Sequence, residues 1–201
     1  MRRSLRQAAA QVLAVVTILA LAADLILKDR NNLDQLFWCC YWAAAAVCVG
    51  IFFRISRLVS FGLVFFAGLG FPAWLVGRLL PGQLDPTSLL IHTAPVTAAA
   101  LYVSSMECLP AKSALGAWCL HAFPLIAAGV FGNPTQNVNL AHSVWPPVAP
   151  VLPRIWEFHA ACLAVSLLIM TGVASALNHL LARRSADGDH HSPVWARAKV
   201  A

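Results

Sequence analysis

Charge is what this chain has least of. Asp, Glu, Lys and Arg make up 11% of its 201 residues, and only 8 residues are acidic. A soluble domain keeps a hydrated surface of charged groups, and a chain this poor in them has none to spread over one. The glycine-rich phosphate loop, the dinucleotide fingerprint and the HExxH helix are also missing, which argues against ATP coupling, Rossmann-type cofactor binding and zincin chemistry. No cysteine pair has CxxC or zinc-knuckle spacing. Cys39, Cys40, Cys48, Cys108, Cys119 and Cys162 lie in or beside apolar stretches, where a thiol behaves as a small hydrophobe. The adjacent Cys39 and Cys40 allow a disulfide or soft-metal site, but core packing is the better reading. No internal repeat, soluble domain or long linker divides the chain.

Apolar sequence fills the space that charge leaves. The chain is 60% hydrophobic, with a mean hydropathy of +0.72. A helix needs about 20 mostly apolar residues to cross roughly 30 Å of hydrocarbon. Six segments qualify: Ala8–Leu27, Leu36–Phe53, Leu58–Leu80, Thr87–Met106, Ser113–Phe131 and Ile155–Ala182. None shows the strict alternation of a barrel strand, and backbone in lipid must satisfy its own hydrogen bonds. The expected fold is therefore all-α, a polytopic membrane helical bundle of six transmembrane helices. Residues 1–182 form its single domain, and 183–201 a polar, disordered cytoplasmic tail carrying Asp187-Gly188-Asp189-His190-His191. The expected location is the cell membrane, the inner membrane if the source is bacterial.

Basic residues set the orientation, because cytoplasmic loops retain Lys and Arg. A cytoplasmic N-terminus puts Arg2, Arg3, Arg6, Arg54, Arg57, Lys112, Arg183, Arg184, Arg197 and Lys199 inside, against Lys28, Arg30, Arg78 and Arg154 outside. Both termini are then cytoplasmic, and the formal charge of +6 is a topology signal with no nucleic-acid partner implied. Trp38, Trp74, Trp145 and Trp156 fall near the outer interface as an aromatic belt. Met1–Arg6, the run after it and Ala20-Leu21-Ala22 also fit a secretory signal; the length of the run and the flanking Lys28 favour a retained span.

Ionisable groups inside such spans are costly and mark functional sites by default. They are His92, His121, Glu157 and His159, all biased toward the outer half. In span four, Asp85, Ser88 and His92 share a helical face and could make a nucleophilic group. Asp85-Pro86 is equally the start of a helix, with Asp as N-cap. Pro95 predicts a kink beside His92. The histidines suit a general acid–base pair or proton relay, a haem or metal site through His92, His121 or His159, or hydrogen-bonded interhelical packing.

The connection Gly132–Arg154 is proline-stiffened yet apolar, and loops of this length tend to be functional. Asn137, Asn139, His142 and Trp145 are its candidate substrate-binding residues, roofing a cavity lined by the three histidines. Gly62, Gly68, Gly70 and Gly77 permit close helix approach in span three, as Ala43–Ala46 do in span two, and Pro72 bends span three.

Asn137-Val138-Asn139-Leu140, with Trp145-Pro146-Pro147 and Leu152-Pro153-Arg154-Ile155-Trp156, resembles the end of the YwaF/TMEM164-like integral membrane proteins. Ile91-His92-Thr93-Ala94-Pro95 is similar to an intramembrane histidine motif of that group, and the likeness covers roughly a third of the chain. In the wider group, related to the AIG1-like membrane hydrolases, a hydroxyl or thiol nucleophile and a histidine act on acyl lipids. The resemblance thus implies a membrane hydrolase or acyltransferase with His92 as base and Thr93 or Ser88 as nucleophile. The residues themselves add His159 or His121 as partner and Glu157 to orient one of them. Membrane lipid is the expected partner, with a homo-oligomer or membrane complex possible. The alternatives are a haem, metal or small-substrate binding or transport protein, and an accessory membrane subunit.

Overall fold

A computed structural model describes residues 2–27, 33–79 and 85–190. Among them there are helices and turns and no strand. Helix α1 spans Arg2–Leu27. A 3-10 turn over Leu33–Phe37 leads into α2, Cys39–Phe52. Helix α3 begins at Ser56–Phe65 and runs on through a π segment, Phe66–Gly70, an α turn, Phe71–Trp74, and a second π segment, Leu75–Leu79. Then come α4, Pro86–Val103, α5, Ser113–Phe131, and α6, Ile155–His190.

Consecutive helices run up and down. Tyr41 at the start of α2 and Thr87 at the start of α4 both hydrogen-bond Asp24 near the end of α1. At the opposite end, Arg6 of α1 reaches the Ser104 hydroxyl at 3.5 Å, and Arg184 of α6 donates to the Ser104 carbonyl at 2.8 Å. The end holding Arg6 is called proximal below, and the end holding Asp24 distal.

Small residues let the helices approach. Helix α1 packs most extensively against α4, and Ala10, Ala14, Ala98 and Ala99 are fully buried. A Cβ on Gly62 would sit 2.9 Å from the carbonyl of Ala43 and would strike Val47, so α2 and α3 touch backbone to backbone. Gly77, by contrast, faces nothing within 4 Å among the described residues, and close approach is not its role. Phe65, Phe66, Ile51, Val59, Val64 and Met170 fill the centre.

The outside of the bundle is apolar as well. Leu19, Leu27, Phe131 and Leu168 are each more than 60% exposed, an arrangement that water penalises and lipid tails accept. Among the described residues four helices are long and apolar enough to cross a membrane: Ser4–Leu27, Ser56–Gly77, Ser113–Phe131 and Ile155–Arg184, with hydropathies of 1.7 to 2.3. The other two apolar segments form shorter or more polar helices. Helix α2 has 14 residues, about 21 Å at 1.5 Å per residue, because the 3-10 turn replaces its expected first turn. Helix α4 carries Thr87, Ser88, His92, Thr93 and Thr97 along its 18 residues. Helix α6 continues past Ala182 to His190, so the first part of the expected tail is helical; residues 191–201 lie outside the described part.

Candidate functional site

At the distal end, four helices converge on a continuous polar network. Asp85 caps α4: its Oδ1 accepts the Ser88 amide at 2.8 Å, with Pro86 in the first turn, a position where its missing N–H costs nothing. Thr87 then points at two carboxylates, 2.7 Å from Asp24 Oδ1 and 2.5 Å from Asp85 Oδ1. A hydroxyl has one proton, so Thr87 donates to one of them at a time. Tyr41 donates its phenolic proton to the other Asp24 oxygen. Asp24 is 1% exposed, which fits the rule that a buried polar group is held by hydrogen bonds.

His92 sits one turn further into α4, 9% exposed. Its Nδ1 lies 2.8 Å from the Ser88 carbonyl. A carbonyl only accepts, so in the neutral ring Nδ1 carries the hydrogen and Nε2 the lone pair. Trp74 stacks on the imidazole, with centroids 5.2 Å apart and planes 16° apart, and donates its indole N–H to the Ser88 hydroxyl at 2.9 Å. Phe66 meets the ring edge-on at 6.2 Å. Local sequence explains why α3 can deliver both aromatics. Pro72 has no N–H to give a regular α ladder, and the wide π turns on either side absorb the gap. Thr93 is committed elsewhere, its hydroxyl returning to the Leu89 carbonyl at 2.7 Å.

The other two histidines belong to different contacts. His121 Nδ1 lies 3.0 Å from the Ser166 hydroxyl, which donates to the Leu163 carbonyl at 3.0 Å and so accepts from the ring. This bond ties α5 to α6. His159 Nε2 donates to the Leu140 carbonyl at 3.1 Å and pins the long loop to α6. Glu157 forms an i,i+3 ion pair with Arg154 at 3.5 Å, with the arginine side chain 69% exposed, worth at most about 1 kcal/mol. Each histidine thus has its own partner, and among the described residues no three of His, Cys, Asp and Glu gather as a metal-binding group.

The loop is built largely by its own asparagines. Asn137 accepts the amides of His142 and Ser143 at 2.8 and 2.9 Å. Asn139 donates to the Phe37 carbonyl at 2.6 Å and accepts the Cys39 amide at 3.4 Å, taking an orphan N–H of α2 that Trp38 leaves without a side-chain cap. Both adopt left-handed backbone, with φ of 43° and 55°, which Asn tolerates better than most residues. Val138 and Ala141 pack under the loop against Leu125 and Ala128. His142 Nε2 is buried without a partner among the described residues, and Trp145 is half-exposed.

Four residues of the network fall outside the sequence-level site: Asp24, Tyr41, Trp74 and Thr87. Asp24 left a signal, since it is a carboxylate inside the first apolar run. Tyr41 and Trp74 left none, because an aromatic near an interface is ordinary. No protein-family model, curated protein or solved structure matches the chain.

Proposed function

We propose that the chain is a six-span membrane protein with both termini cytoplasmic, whose distal site performs acid–base chemistry on an acyl lipid at the outer face. The observation that carries this reading is His92: a buried imidazole with Nδ1–H held by the Ser88 carbonyl and its face covered by Trp74. Such a ring offers Nε2 as a base. Proton abstraction from an attacking water or hydroxyl leaves an imidazolium, and each neighbour favours that charge. The Ser88 carbonyl accepts a stronger hydrogen bond from Nδ1–H, the Trp74 face supplies a cation–π contact, and the Asp24–Thr87–Asp85 group adds negative potential nearby. The proton returns to the leaving oxygen as the ester bond breaks.

In this reading Ser88 positions His92 and Trp74. His121 and His159 hold α5, α6 and the loop in place, while Asn137, Asn139 and His142 shape the loop and Trp145 meets the outer interface. Membrane lipid is both solvent and substrate, and the location is the cell membrane, the inner membrane in a bacterium.

The test is acyl release from a fluorescent phospholipid by protein purified in mild detergent. Wild type and His121→Gln should release fatty acid, and His92→Gln should lose at least a hundredfold, within the usual range for a general base, while still inserting and eluting as one species. Equal turnover by His92→Gln, or no turnover by wild type across lipid classes, refutes it.

A further inference from the structure

The proximal end carries a second site with the opposite electrostatic character. A cavity of about 300 Å³ opens between the start of α1, the α2–α3 turn and the end of α4, lined by Arg6, Gln7, Arg54, Leu101, Tyr102 and Ser105. Among the described residues no acidic side chain lines it. Arg6 and Arg54 have no ion pair among the described residues, where the side chain of Arg6 makes only the long hydrogen bond to Ser104. Two guanidiniums therefore face a cavity whose remaining polar groups are two hydroxyls and a carboxamide.

Arg54 is also held there at a cost. It follows the Phe53 C-cap of α2, with φ of 58°, a position that helices normally give to glycine. The turn closes around it, Phe53 N–H donating to the Val49 carbonyl at 2.9 Å and Ile55 N–H to the Gly50 carbonyl at 2.8 Å. A β-carbon in this conformation is unfavourable, so the side chain leaves the turn from a strained, defined backbone.

Three of the four residues flanking the two arginines are apolar and bare. Leu5 precedes Arg6 at 63% exposure, and Phe53 and Ile55 bracket Arg54 at 73% and 42%. A free anion has no use for them, whereas a phosphate attached to acyl chains does. We propose that this cavity binds the phosphate headgroup of an anionic phospholipid, with Arg6 and Arg54 on the phosphate oxygens, Tyr102, Ser105 and Gln7 as supplementary hydrogen-bond partners, and Leu5, Phe53 and Ile55 against the chains. The inference rests on the membrane reading and the proximal end lying at a lipid interface; it makes no use of His92.

The test is native mass spectrometry and liposome flotation of the purified full chain. The probes are phosphatidylglycerol, phosphatidic acid, phosphatidylcholine and inorganic phosphate. Wild type should retain the two anionic lipids over phosphatidylcholine. Arg6→Gln and Arg54→Gln should each weaken retention about fivefold, and the double variant tenfold or more, from the roughly 1 kcal/mol that each basic side chain contributes at a charged membrane surface. Arg57→Gln, in the first turn of α3 and outside the cavity lining, should leave retention unchanged. Arg54→Gly keeps the left-handed turn while removing the charge, so it should lose lipid without loss of thermal stability. Competition by millimolar inorganic phosphate would reassign the site to a soluble anion. Equal losses in Arg57→Gln and Arg54→Gln, or full retention by the double variant, would overturn the proposal. Failure here leaves acyl release at the distal site untouched, and the converse holds.

Discussion

Replacing Asn139 by alanine should open the distal loop. Its carboxamide makes two contacts, the 2.6 Å bond to the Phe37 carbonyl and the 3.4 Å contact from the Cys39 amide. Polar contacts between membrane helices average about 0.6 kcal/mol each, with a maximum near 1.7, so together they contribute roughly 1 kcal/mol. Backbone conformation adds more. At φ 55° an asparagine is tolerated, while an alanine costs roughly 1–2 kcal/mol. Asn139→Ala is therefore expected to destabilise the closed loop by roughly 2–3 kcal/mol, and Asn139→Gly, which keeps the conformation, by roughly 1 kcal/mol. Cys39 reports the change, because it is 6% exposed beneath this contact. With the other five cysteines replaced by alanine, maleimide labelling through local opening should accelerate roughly 30- to 150-fold in Asn139→Ala and about fivefold in Asn139→Gly. Equal acceleration in the two variants would refute the backbone part of the reasoning. An unchanged rate in both would show that the loop is not latched through Asn139 at all.

Three further outcomes follow from particular contacts. Tyr41→Phe leaves the buried Asp24 short of a donor, at about 1–3 kcal/mol, and should lower the unfolding midpoint in detergent more than Tyr102→Phe, whose partner is the longer 3.3 Å contact with Ser56; equal shifts would show that Asp24 does not depend on Tyr41. Gly62→Ala should cost about 1–3 kcal/mol by overpacking, measured by denaturant unfolding, with partial recovery on adding Val47→Ala, whereas Gly77→Ala should be neutral; a neutral Gly62→Ala would contradict the close approach of α2 and α3. Cys108 is exposed beyond the proximal end of α4, so an impermeant maleimide added to sealed right-side-out vesicles should label it only after permeabilisation, and immediate labelling would reverse the proposed orientation.

Much of the fold was legible because lipid imposes a one-dimensional rule on sequence. Long apolar runs read as helices, and the four longest apolar helices lie within or around runs so identified. Asp85-Pro86 read as a helix start because an N-cap and its proline are consecutive residues, and Asp85 does cap α4. Lateral pairing was not legible. His121 meets Ser166 across 45 residues, and Asn139 meets Phe37 across 102; no local pattern encodes either distance. Asn137 and Asn139 stand out in sequence as polar groups in an apolar segment, and in the structure they spend their carboxamides on the shape of the loop and its link to α2. An aromatic belt accounts for Trp74 in sequence, whereas its stack on His92 depends on how α3 winds after Phe65.

That winding carries a consequence of its own. A π turn accommodates more residues than an α turn over the same stretch of axis, so Phe66–Gly70 and Leu75–Leu79 behave as places where α3 stores surplus chain. Removing one residue from Phe66–Gly70 would let that turn relax to α and leave the helix beyond it nearly in place, whereas removing one from the regular stretch Ser56–Phe65 would rotate everything beyond it by about 100°, one residue's share of a 3.6-residue turn. Trp74 would swing off the imidazole with its chemistry intact. Residue count in this helix, as much as residue type, is what aims the indole at His92.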